Sequence, residues 1–137
     1  ITRFPAISIP IIHIPYDWNL QGPSEFPDSL AAHQRDYVLG KNPWGVSFIY
    51  NIGSRFTRYF HSQVAHFSNG YLPGAIAAGP APAEILKGFN IPRTNFIYDR
   101  FNSSDVKYFD DRHDYITNEP TIVSNATGVF VFSHFYK

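Results

Sequence analysis

A chain of 137 residues falls within the size of one domain, but length alone does not make it fold by itself. Eleven Lys plus Arg balance eleven Asp plus Glu, so no basic field draws nucleic acid or an anionic membrane surface, and neither is expected as a partner. The absence of Cys excludes a disulfide framework and thiol chemistry, while aromatics at 18% against charged residues at 16% give unusual capacity for flat apolar contact.

Residues 1–28 hold five prolines, and Ile7, Ile9 and Ile11 alternate as in extended or edge-strand chain. This opening lacks an initial Met and is broken by proline, so it reads neither as a signal peptide nor as a spanning helix, and it stays an unplaced segment before a unit at 29–137. Asp28 or Ser29 can cap a helix through LAAHQRDYVL, with Gly40 placed for a left-handed end and Pro43 just beyond. From Trp44 to Gly53 the run is apolar with Ser47 and Asn51 inside it, where β-propensity points to a strand. Residues 68–103 mix glycines and prolines without a sustained period and read as a long ordered loop.

The last element is predicted to begin near Asn118, with Pro120 in its first turn, where a missing N–H does no harm. Ile122, Ala126, Val129, Phe130 and Ser133 then recur at helical spacing, which would put one apolar face inward. Alternation of Val129, Val131 and Ser133 against Phe130 and Phe132 would also suit a strand, and Gly128 weakens a helix by about 1 kcal/mol relative to Ala. Helix is the favoured reading.

The stretch YFDDRHDYITNEPTIVSNA, Tyr108 to Ala126, sets Glu119 after a dense cluster of carboxylates. Its spacing of Tyr108, Asp110, Tyr115, Glu119, Thr121, Asn125 and Ala126 resembles the second signature of the family 9 glycoside hydrolases, mostly inverting β-1,4-glucanases. A second block, QRDYVLGKNPWGVSFIYNIG from Gln34 to Gly53, is similar to the helix, Asn-Pro turn and Ser-aromatic segment upstream of that signature. The resemblance implies an all-α chain, the C-terminal third of an (α/α)6 barrel with long ordered loops, and not a complete domain. It also implies that the run from Trp44 to Gly53 is a loop entering a cleft.

Inverting cleavage needs one protonated carboxylic acid and one ionised carboxylate, held about 6.5 to 9.5 Å apart. Glu119 is assigned as the acid. A helix N-terminus would favour its charged form, so burial and the charges of Asp110, Asp111 or Asp114 are expected to raise its pKa again. By the resemblance, Asp110 is the signature's other active-site acid, a supporting group rather than the base. The base belongs to an Asp pair in a DAGD-like motif that this chain lacks, so the chain alone is expected to be inert without the preceding part of the barrel.

By the same resemblance His61 inherits a sugar-hydroxyl contact. Gln63 stands where the family has Arg, removing a forked cationic donor, and Ser124 stands where its cellulases usually have Tyr. Tyr115 and Trp44 are candidate ring platforms, each equally readable as core. The implied ligand is a β-glucan or related polysaccharide and the implied location is extracellular. Asn102 and Asn125 both open glycosylation sequons, and Asn102 is the better candidate. No cofactor is required. His66, His113 and His134 lack zinc-site spacing, so no transition metal is assigned, and a structural calcium stays open. Two rivals remain: a carbohydrate-binding or structural protein on the same barrel that has lost turnover, and an unrelated β-rich domain in which Glu119 is only a helix cap.

Overall fold

The structure, a computed structural model, describes residues 28–135; the proline-rich opening lies outside them except for Asp28. Helix α1 spans Asp28–Val38 and ends as its sequence demands. Gly40 takes φ 116°, and the N–H groups of Gly40 and Lys41 return to the carbonyls of Tyr37 and Asp36, the paired bonds of a Schellman end. The chain then doubles back closely enough that a Cβ on Gly40 would lie 3.4 Å from the Ser47 nitrogen.

The run from Trp44 to Gly53 is a loop, not a strand. Asn51 at φ 59° and Gly53 at φ 84° break the extended backbone that a ladder requires, leaving isolated pairings of Ser47 with Phe56 and Ile49 with Ile76. The Asn42 amide fixes the turn by donating to the carbonyls of Tyr37 and Val46, each at 2.8 Å. Val46, Phe48 and Ile49 are buried here with Val38, Phe60 and Tyr108. β-propensity recorded their fitness for burial rather than for pairing.

Residues 68–103 carry more than loop. Strand β1 (Ala81–Pro82) pairs antiparallel with β2 (Val106–Lys107), a short helix occupies Ala83–Lys87, and a 3-10 turn spans Asp99–Phe101. Elements this short show no period in sequence. With α2 at Gln63–Phe67 and α3 at Ala83–Lys87, the described chain is helical with little sheet, compatible with part of a helical domain.

The last helix starts later than expected, and the face expected inward is turned outward: Ile122, Ala126, Val129, Phe130 and Ser133 are exposed, while Ser124, Gly128 and Val131 are buried. Helix α4 covers Tyr115–Asn118, Glu119 is extended at φ −76° and ψ 125°, and α5 runs over Ile122–Phe135. The residue before a proline is pushed out of the helical region, so Pro120 separates two helices instead of opening one. Thr121 Oγ1 accepts the Ser124 N–H at 3.0 Å in the manner of an N-cap, a role that Glu119 therefore does not hold. Gly128 is a packing glycine: a Cβ there would meet the Ile76 Cδ1 at 2.2 Å, and beside it Asn125 Oδ1 accepts the Ile76 N–H at 3.0 Å. The β-rich alternative fails at the element on which it rested.

Trp44 is core, only 3% exposed, with its ring edge-on to Tyr108 at 5.9 Å. Its Nε1–H donates to Asn102 Oδ1 at 2.8 Å, and the same oxygen accepts the Tyr108 N–H at 2.8 Å. Asn102 Nδ2 donates to Asp99 at 3.0 Å, so the candidate glycosylation residue is a joint between three segments. Asn102→Ala should lower unfolding free energy by about 2 kcal/mol by leaving two buried donors unpaired, whereas Asn102→Asp should cost less because it keeps acceptor oxygens. Ser104→Ala removes the sequon but not the amide and should unfold like wild type. Denaturant unfolding checks all three; equal midpoints for Asn102→Ala and wild type would refute the joint.

Candidate active site

Three buried aspartates shape the segment before Glu119. Asp110, 2% exposed, accepts the backbone N–H groups of Arg58 and Tyr59, the latter at 2.9 Å, and the Asn118 amide at 3.2 Å. Burial pushes its carboxyl above the ordinary range, and these hydrogen bonds hold it partly back. Asn118 completes the clasp by donating to the Tyr59 carbonyl at 2.8 Å and accepting the Tyr108 hydroxyl at 3.1 Å. Asp114 caps α4 by accepting the N–H groups of Ile116 and Thr117, and Arg93 Nε pairs with its other oxygen.

Asp111 is 1% exposed, and burial alone would raise its pKa. The N–H groups of His113, Thr94 and Asn95, with the His113 ring, outweigh burial and hold it at about 2. These carboxylates were expected to surround Glu119 and raise its pKa. The structure turns their oxygens to backbone donors and Arg93 instead, while Glu119 is exposed. The buried acids build the wall on which Glu119 stands.

The clasp sets that wall. The His61 N–H donates to the Asn118 carbonyl at 3.1 Å, so His61 lies against the residue preceding Glu119. His61, Gln63, His66, Arg112, His113 and Glu119 line one cleft of about 850 Å³, with Phe67 at its rim. Ser62 caps α2 through the Ala65 N–H, aiming that short helix into the cleft wall. Tyr115, 40% exposed, sets its ring edge against His61 at 5.8 Å and against Phe89 at 5.9 Å, which suits a platform beside the cleft.

Of the sequence-selected residues, Glu119, His61 and Gln63 come together and Tyr115 adjoins them; Trp44, Asp110 and Ser124 do not line the cleft. Trp44 is core, so the platform reading gives way to the core reading. Ser124, 9% exposed, receives the Thr121 hydroxyl hydrogen at 2.8 Å and tightens the start of α5. Sequence reasoning passed over Arg112 and Asn118 as site residues and weighed His66 and His113 only as metal ligands. Arg112, a cation inside DDRHD, was the available signal. Among the described residues no cluster of three His, Cys, Asp or Glu is placed to hold a metal ion, and no helix is long and apolar enough to cross a membrane.

Because the Asp111 pKa lies below that of an unfolded aspartate, its stabilisation is complete above about pH 4 and disappears as pH falls towards about 2. Asp111→Asn should cost about 2 kcal/mol at pH 7 and flatten that part of the stability profile. Denaturant unfolding between about pH 2 and pH 7 measures it, and parallel profiles for variant and wild type would contradict the assignment.

Comparison with known proteins adds a family match. The family described as Glycosyl hydrolase family 9 matches residues 7–132, which takes in most of the proline-rich opening. Endoglucanase 21 of Oryza sativa subsp. japonica is 31% identical over 119 residues, covering 79% of this chain and 21% of that relative. Endoglucanase 17 of Arabidopsis thaliana is 30% identical, with 78% and 21% covered, and Endoglucanase 2 of Persea americana is 30% identical, with 78% and 84% covered. The chain spans about a fifth of the length of the first two. No solved structure matches it.

Proposed function

The chain belongs to glycosyl hydrolase family 9, and from that premise we propose that the protein cleaves a β-linked glycan of the cellulose type by inversion, with Glu119 as general acid. The observation that carries this reading is the cleft in which Glu119 stands with His61, open to solvent and flanked by the Tyr115 ring. An acid at such a wall can protonate a glycosidic oxygen, while water attacks from the opposite sugar face under a base about 6.5 to 9.5 Å away. Asp110 acts as a supporting group, fixing the backbone from which His61 projects.

The base is supplied by the preceding part of the barrel, the proposed partner of this chain. A feature of α5 supports that partner: Ile122, Val123 and Val129 are 89%, 68% and 73% exposed on a strongly apolar helix. Such a helix calls for cover on more than one side. A secreted protein acting on extracellular polysaccharide fits this activity. The second reading, a carbohydrate-binding protein without turnover, draws on Gln63, which puts an amide in the cleft where the family has a forked cation.

Glu119→Gln separates the two. In the full-length protein it should lower kcat on a soluble β-1,4-glucan at least about a hundredfold and leave binding within about threefold, since the amide keeps the shape but gives no proton. Wild-type turnover in this variant would remove Glu119 as the acid. A wild-type protein that binds glucan and never cleaves it would favour the binding reading.

A further inference from the structure

Arg112 meets two imidazoles in the cleft in opposite senses. Its backbone carbonyl faces His61 Nδ1 at 2.8 Å, and a carbonyl only accepts, so that nitrogen carries a hydrogen. Its guanidinium Nη1 faces His66 Nδ1 at 2.9 Å, and a guanidinium only donates, so that nitrogen holds a lone pair and the ring hydrogen of His66 sits on Nε2. With both rings neutral, His61 is left with an accepting Nε2 and His66 with a donating Nε2–H. Both rings line the same cleft, and each is braced by an aromatic edge: Tyr115 at 5.8 Å for His61 and Phe67 at 5.4 Å for His66.

Neighbouring pyranose hydroxyls that hydrogen-bond to one another form a directional chain with a free hydrogen at one end and a free lone pair at the other, so an acceptor and a donor fixed on one wall satisfy both ends. We propose that Arg112 is a positioning residue that sets His61 and His66 in opposite proton arrangements, making them a matched donor–acceptor pair for the hydroxyls of a bound β-glycan. Gln63 contributes no charge to that wall, whereas the Arg112 guanidinium keeps further N–H donors beyond the one directed at His66. The inference rests on the carbohydrate reading of the cleft but needs no proton from Glu119.

The test is long-range proton–nitrogen correlation on full-length protein labelled with ¹⁵N-histidine, at about pH 8, where unperturbed imidazole is neutral. The expected result is hydrogen on Nδ1 in His61 and on Nε2 in His66. In Arg112→Ala the His66 resonances should move to the two-tautomer average of a free ring while those of His61 stay fixed, because its partner is a backbone carbonyl. The unmoved His61 signal also reports that the variant is folded.

Arg112→Lys, which keeps a donor, should restore the His66 signal. With cellohexaose as the probe, Kd should rise about tenfold in Arg112→Ala and stay within about threefold of wild type in Arg112→Lys. Hydrogen on Nδ1 of His66, a bare Nδ1 on His61, or His66 resonances unchanged in Arg112→Ala would each overturn the proposal. Ring states are read without turnover, so loss of the hydrolase reading at Glu119 leaves this result standing, and the reverse also holds.

Discussion

The buried carboxylate of Asp110 holds two distant stretches of chain in register, and the cleft depends on it. Its oxygens accept the N–H groups of Arg58 and Tyr59 and the Asn118 amide, fastening 57–61 to 108–119. Isolation of such a charge from water is costly, as its raised pKa records, so it persists only while several donors face it. Asn118, with no exposure, carries the clasp to Tyr108 and to the Tyr59 carbonyl. Once these bonds close, the His61 N–H has the Asn118 carbonyl as partner, and Glu119 follows at the edge of the same wall.

Polar joints of this kind recur because regular structure is sparse between α1 and α5. Asn42 holds the turn after α1, Asn102 ties Trp44 to Tyr108, Asp111 gathers Thr94 and Asn95, and Asn125 fastens α5 to Ile76. Each takes buried or half-buried backbone groups that no helix or ladder satisfies, which is how a loop-rich region keeps one conformation. Loops so fixed can carry site residues with the precision that helices usually provide.

Much of this was legible in the sequence where the cause is local. The end of α1 at a left-handed Gly40 follows from the glycine, α5 is helical as its spacing predicts although the face that spacing names is exposed, and the segment that sets Glu119 on the cleft was marked by its own spacing. Pro120 was misjudged because two local rules compete, acceptance in a first turn and exclusion of its predecessor from the helical region, and the extended Glu119 shows that the second prevailed. Gly128 counted against a helix until its contact with Ile76 explained it. Trp44 could not be sorted by residue type, since its partner Asn102 comes from a segment remote in sequence, whereas Ser124 is held locally by Thr121 at the start of α5. The pairing of Arg112 with His66 crosses from one segment to another and leaves no periodic trace.

A buried framework of aspartates and asparagines thus presents an exposed carboxyl, imidazoles and an aromatic ring to solvent; in the proposed reaction that carboxyl is one of the two that inverting glycoside cleavage uses. The most direct measurement is the anomeric configuration of the first product released from a soluble β-1,4-glucan by the full-length protein, followed by proton NMR before mutarotation. Inversion yields the α-anomer first. Initial release of the β-anomer would contradict the assignment of Glu119 as the acid of an inverting pair.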